Sequence, residues 1–222
     1  MNKTLLFRLV VLVAVMMCAF GAAAQEAYAC YTPSNTTLTF YYDNLRSTRP
    51  GTTYDLPTTA DIGWYQDGSY HNVTKVVFGP SFAGARPTKT YAWFRNMENL
   101  QTITGMNYLN TSAVTTMYFM FRDCSSLTTL DLSGFNTANV TNMRAMFMGC
   151  SNLQTIYVGE QWSTDAVTTS TFMFSNCTSL VGDKGTPITI LTRWTRPMPT
   201  STVAPATRAT SRLRAAPACV AT

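Results

Sequence analysis

A period of 26 to 27 residues constrains this chain more than any other feature. Leu100, Leu127, Leu153 and Leu180 open successive units at spacings of 27, 26 and 27 residues. Val114, Val140 and Val167 align inside the units, as do Phe121, Phe147 and Phe174, and Cys124, Cys150 and Cys177. Self-similarity at a fixed period in this range is the signature of a repeat architecture. Leu127, Leu130 and Leu132 follow an LxxLxL spacing, which sends Leu130 and Leu132 to one side of a short strand and Asp131 to the other. Val73 lies 27 residues before Leu100, so VTKVVF reads as a degenerate earlier unit. There Trp93-Phe94 replaces Met120-Phe121, and Met97 stands in the cysteine column. The fold expected is β-rich or α+β: a leucine-rich-repeat-type solenoid with short parallel strands, an N-terminal capping segment and an irregular C-terminal tail.

The ends differ from the middle. Residues 1–24 read as a secretory signal: Lys3 and Arg8, an apolar run from Leu9 to Gly21, then Ala22-Ala23-Ala24 before Gln25. The apolar run is short of the roughly 20 residues that span a bilayer. Cys30 is weighed as a lipid-attached residue, but the small-residue context after a Leu is missing. Residues 25–72 form a pre-repeat segment in which Leu38-Thr39-Phe40-Tyr41-Tyr42 has strand composition. Pro50-Gly51 and Asp67-Gly68 mark turns. Trp64 and Tyr65 are expected to cover the first unit, because an uncovered repeat exposes its core. Residues 73–182 carry the repeat. Residues 183–222 are rich in Thr, Arg, Pro and Ala, without a period, a composition of disordered stalks.

Charge argues against nucleic acid as a partner. The formal charge is +5, yet residues 25–182 hold 8 basic and 10 acidic side chains, a net of −2. The positive balance sits at the two ends, so no phosphate-tracking surface remains between them. No catalytic constellation emerges either. His71 is the only histidine, and Asp123, Asp131 and Asp165 occupy non-equivalent places in their units, so no carboxylate pair is set for acid–base work. The three aligned cysteines stand 26 and 27 residues apart, whereas zinc sites pair ligands a few residues apart. They read as a ladder of small buried side chains, and Met120-Phe121, Met146-Phe147 and Met173-Phe174 read as core filling. The chain has no D-x-[DN]-x-[DN]-G calcium loop. The expectation is therefore no enzyme, no metal and no cofactor. The N-x-[ST] tripeptides, such as Asn139-Val140-Thr141, arise from the turn chemistry of the repeat.

The phrases LTTLDLSGFNTANVTNMRAMFMGCSNL and YLNTSAVTTMYFMFRDCSSL resemble the BspA-like leucine-rich repeat surface proteins of bacteria. NTTLTFYYDNLRS…GTTYDL and VVFGPSFAGARPTKTYAWF resemble the segment preceding the repeats in secreted members. The resemblance covers about residues 25 to 182 and implies a secreted or cell-surface protein that adheres to host matrix proteins or to other cells. Partners so implied are extracellular host proteins, fibronectin- or fibrinogen-like, or other bacterial surface proteins. A membrane is met only through the signal peptide or a lipid anchor. The tail departs from the family: Met198 to Pro205 can be encoded by nucleotides whose neighbouring frame spells Tyr-Ala-His-Ile-Asp-Gly-Gly-Thr, which resembles the family's usual continuation. The tail thus reads as an out-of-frame translation.

The outward strand positions supply the candidate binding residues. Thr104, Asp131 and Tyr157 are expected to align across the sheet face, with Thr102, Thr129 and Thr155 beside them. Tyr157 and Trp162 stand out because aromatics are enriched at binding hot spots. The expected function is adhesion through this face; the alternative is a passive spacer that presents another domain.

Overall fold

The computed structural model describes residues 24–57, 62–181 and 211–212. Residues 1–23 of the segment read as a secretory signal and, apart from 211–212, the tail from residue 183 lie outside the described residues. Two sheets organise the described residues. The first has five strands in the order β3-β1-β2-β4-β5: β1 Glu26–Thr32, β2 Thr37–Asp43, β3 Thr52–Asp55, β4 Lys75–Phe78 and β5 Thr102–Thr104. The second has the order β6-β7-β8, with β6 Thr129–Leu132, β7 Thr155–Val158 and β8 Ser211–Arg212.

This architecture corrects the expected solenoid of parallel strands. The pre-repeat segment builds most of the larger sheet rather than a cap on its end. β1 pairs antiparallel with both β2 and β3, and β8 pairs antiparallel with β7. Parallel strand pairs are β2–β4, β4–β5 and β6–β7, and isolated parallel bridges join Lys89 to Thr116, Thr116 to Asn142 and Asn142 to Thr169. The fold is mostly sheet with mixed topology. The physical reason lies in the hairpin: a turn at Pro33–Asn35, closed by Thr36 at φ 52°, reverses the chain so that Tyr28 to Tyr31 pack beside β2. Antiparallel neighbours need only such a tight turn, whereas parallel ones need a long crossover.

The period still governs the local bonding. β4 meets β5 at Lys75↔Thr102, and β6 meets β7 at Thr129↔Thr155, offsets of one unit each. β5 and β6 do not pair, and each is the edge of its sheet. Gly105 lies at the break. Gly105 occupies the place of Leu132, at φ 72°, and a Cβ there would run into the carbonyl oxygen of Phe78. β5 therefore ends a residue short, and the chain turns away through Met106–Tyr108.

On the far side of each unit the backbone N–H groups alternate in direction. Met117, Phe119, Phe121 and Asp123 donate their N–H groups to Asn142, Arg144, Met146 and Met148 of the following unit. The residues between them bond backwards in their own turns, as in Met120 N–H to Met117 O and Arg122 N–H to Phe119 O. The preceding and following units repeat the pattern from Ala92, Phe94 and Asn96, and from Ala145, Phe147 and Gly149. In each unit two residues four apart sit in the left-handed region: Ala92 and Asn96, Phe119 and Asp123, Ala145 and Gly149, Phe172 and Asn176. Hydroxyls complete the joints: Thr137 Oγ1 donates to Ser163 O at 2.6 Å and accepts from Ser163 N–H at 2.7 Å, and Thr111 does the same with Asn136. This is why the NT dipeptides recur, since Asn and Thr side chains substitute for backbone partners.

The core runs continuously through both sheets. In the first half, Phe40 stacks on Phe78 (4.7 Å between centroids) and on Trp93 (5.2 Å), with Trp64 edge-on at 6.0 Å. Beyond it, Phe94, Phe121, Phe147 and Phe174 stack at 5.3, 5.7 and 5.4 Å. The short helix α1, Gly63–Gln66, lies against the first unit. Trp64 Nε1–H donates to Trp93 O at 3.1 Å, and the Tyr65 hydroxyl donates to Ala92 O and Arg95 O. Those carbonyls face away from the next unit, so α1 satisfies the acceptors on that side.

Candidate functional site

The four sequence-predicted residues do not form one surface. Asp131 and Tyr157 are paired neighbours on β6 and β7. Thr104 lies on β5, in the other sheet, across the break. Asp131 is exposed, but its Oδ1 accepts the Ser133 N–H at 2.9 Å in a local turn. Tyr157 is half-buried. Trp162 packs partly into the core with its Nε1 buried and lacking a hydrogen-bond partner. Between β5 and β6 lies a cleft of about 170 Å³ lined by Ile103, Gly105, Met106, Thr129, Leu130 and Asp131. Small-molecule sites are usually about 300–1,000 Å³, so the cleft is undersized for one.

The cysteine column has a different task from ligation. Cys124, Cys150 and Cys177 donate their thiol hydrogens to the carbonyls of Phe94, Phe121 and Phe147 at 3.0, 3.0 and 2.9 Å. Burial raises all three thiol pKa values, that of Cys177 to about 12. A protonated thiol is a poor nucleophile and no metal ligand. All three should therefore resist iodoacetamide at pH 8 in the folded protein and react fully in concentrated guanidinium. Peptide mapping by mass spectrometry checks this; rapid labelling of Cys150 in the native protein would contradict the geometry.

A surface that sequence reasoning missed lies on the alternating segments. Tyr91 meets Tyr118 at 5.4 Å and Phe119 at 6.4 Å. The Arg122 guanidinium lies 4.7 Å over the Phe119 ring. Arg144 lies 5.8 Å over Tyr118 and 6.0 Å over Phe172. These contacts link Tyr91, Tyr118, Phe119, Arg122, Arg144 and Phe172 into one ridge crossing successive units. Phe172 is 48% exposed, one of three large apolar side chains so exposed among the described residues.

Phe119 and Phe172 also hold φ values of 61° and 62°. A bulky residue in the left-handed region is an outlier, and the equivalent positions in neighbouring units are alanines, Ala92 and Ala145. Phe119 packs partly against the core, whereas Phe172 stands out into solvent, and backbone strain at so exposed an aromatic points to use of the side chain. The alternation of Ala and Phe two residues before each stacked Phe was readable in the sequence. It was overshadowed by the adjacent Met-Phe pairs.

A family model described as "Mycoplasma protein of unknown function, DUF285" matches residues 88–186, less than half of the chain. The matched stretch begins at Thr88, whose carbonyl accepts the first of a column of threonine bonds, from the N–H and hydroxyl of Thr115. No curated protein and no solved structure matches the chain.

Proposed function

We propose that this chain is a secreted or cell-surface protein-binding module, adhesive in the manner of the BspA-like proteins it resembles. The observation that carries this reading is the aromatic–arginine ridge. Tyr and Arg are the residue types over-represented at binding hot spots, where aromatic rings supply area at low entropic cost. The ridge is built on backbone that the inter-unit bonds hold in place, so its rings are ordered before a partner arrives. Preordering of this kind lowers the cost of association.

The test is solid-phase binding of the secreted chain to immobilised fibronectin, fibrinogen and other matrix proteins. Two variants are compared: Tyr118→Ala with Phe172→Ala on the ridge, and Asp131→Ala with Tyr157→Ala on the strand face. Saturable binding is expected to fall at least about tenfold in the ridge variant, the loss expected from removing hot-spot anchors. The strand-face variant should bind as the parent does. Loss confined to the strand-face variant would move the site to β6 and β7. No binding by a protein shown to be folded would favour a passive spacer.

A further inference from the structure

Arg144 is the most distinctive residue of the ridge. Its guanidinium carbon lies within about 6 Å of two ring centroids, Tyr118 of the preceding unit and Phe172 of the following one. That is the range of cation–π attraction. Its backbone N–H is fixed by Asn142 Oδ1 at 2.9 Å. Among the described residues no carboxylate pairs with it, and the side chain is exposed. The contrast with Arg122 is direct, because Arg122 Nε already meets Asp123 Oδ2 at 3.0 Å.

From this arrangement we infer that the ridge takes an acidic polypeptide segment, with Arg144 receiving a carboxylate and the flanking rings of Tyr118 and Phe172 receiving its apolar neighbours. The inference rests on the protein-binding reading and names the class of partner. Charge complementarity decides the occupant. Residues 25–182 carry net −2, yet the ridge sets Arg122 and Arg144 against the one carboxylate of Asp123. A guanidinium whose position is fixed by aromatic contacts keeps its in-plane N–H fork for the ligand, and that fork matches a carboxylate with two parallel hydrogen bonds. A second copy of this chain is a poor occupant, since the same ridge would bring Arg144 against Arg144.

The experiment uses the full chain and fluorescein-labelled poly-L-glutamate of about 20 residues, followed by fluorescence anisotropy at low salt. Binding is expected to weaken steadily as salt is raised, as for any exposed charge pair. Arg144→Gln should weaken it at least about tenfold. Arg144→Lys should recover only a part, because an ammonium lacks the planar fork. Arg122→Gln should weaken it less than about threefold, because that cation is already paired. Equal effects of Arg122→Gln and Arg144→Gln would mean that net charge alone attracts the probe, and would overturn the proposal. So would unchanged affinity in Arg144→Gln, or binding of heparin with none of poly-L-glutamate. Circular dichroism and thermal melting of each variant check that the exposed substitutions leave the fold intact. Binding of poly-L-glutamate without any matrix-protein binding would leave this inference standing and remove the adhesive reading; the reverse result would do the opposite.

Discussion

Trp64→Ala is expected to destabilise the protein by about 3–5 kcal/mol, the range for truncating a fully buried large aromatic. Trp64 is completely buried, edge-on to Phe40 at 6.0 Å and to Tyr54 at 5.9 Å. Its indole N–H donates to Trp93 O. Truncation opens a cavity between the first sheet and the first unit and leaves that carbonyl without its donor. Trp64→Phe separates the two contributions, since it keeps much of the ring but not the N–H. Leaving a buried acceptor unsatisfied costs about 1–3 kcal/mol, and the smaller ring adds to that. Urea unfolding followed by circular dichroism reads both. A midpoint shift at unchanged slope is the expected form, whereas a shallower slope would mean that the first sheet and the repeat units unfold separately.

Phe147→Ala is the second large effect, again about 3–5 kcal/mol. Phe147 sits between Phe121 and Phe174 with rings nearly parallel, at interplanar angles of 6° and 7°. Removing it therefore breaks two stacking contacts at once. Its backbone also donates to Met173 O, and its carbonyl accepts the Cys177 thiol. Phe174 is only half-buried, so Phe174→Ala should cost clearly less. Equal costs at the two positions in thermal or urea unfolding would show that the ladder is not the source of stability.

Much of the fold was readable and some was not. The period predicted the register of β4 on β5 and of β6 on β7, because each pairing spans one unit. The alternation around Leu130, Asp131 and Leu132 appears as a buried–exposed–buried strand. The run Leu38 to Tyr42 lies within β2. β1 was illegible for a physical reason. Flanked by β2 and β3, it buries Tyr28, Ala29, Cys30 and Tyr31 in succession, so no period-two signal survives. Reading residues 25–72 as a cap on a solenoid confined to residues 73–182 overlooked that hairpin. It also overlooked Gly105, at whose left-handed turn β5 ends.

The candidate ridge shares only its aromatic character with the positions weighed in the sequence: Trp162 packs partly into the core, and Thr104 is separated from Asp131 by the break. Where the ridge aromatics stand depends on left-handed residues spaced four apart in each unit. No strand or helix period describes that conformation, so no strand or helix template could place Phe119 and Phe172 on the surface.

The backbone bonds between units have a consequence for folding. They join the same positions in every unit and involve no side chain, so by themselves they do not distinguish a unit's proper neighbour from the one beyond it. A chain folding on them alone could skip a unit and trap a 26- or 27-residue loop. Discrimination must come from the departures from the repeat. Trp93, in place of a methionine, stacks its ring on Phe40 at 5.2 Å. Gly105 stands where other units place Leu132 and Val158, and Ala92 and Ala145 alternate with Phe119 and Phe172. A skipped unit would set like against like in that column. The irregularities are thus what make one order of assembly lower in free energy than its near-copies, as a funnelled landscape requires.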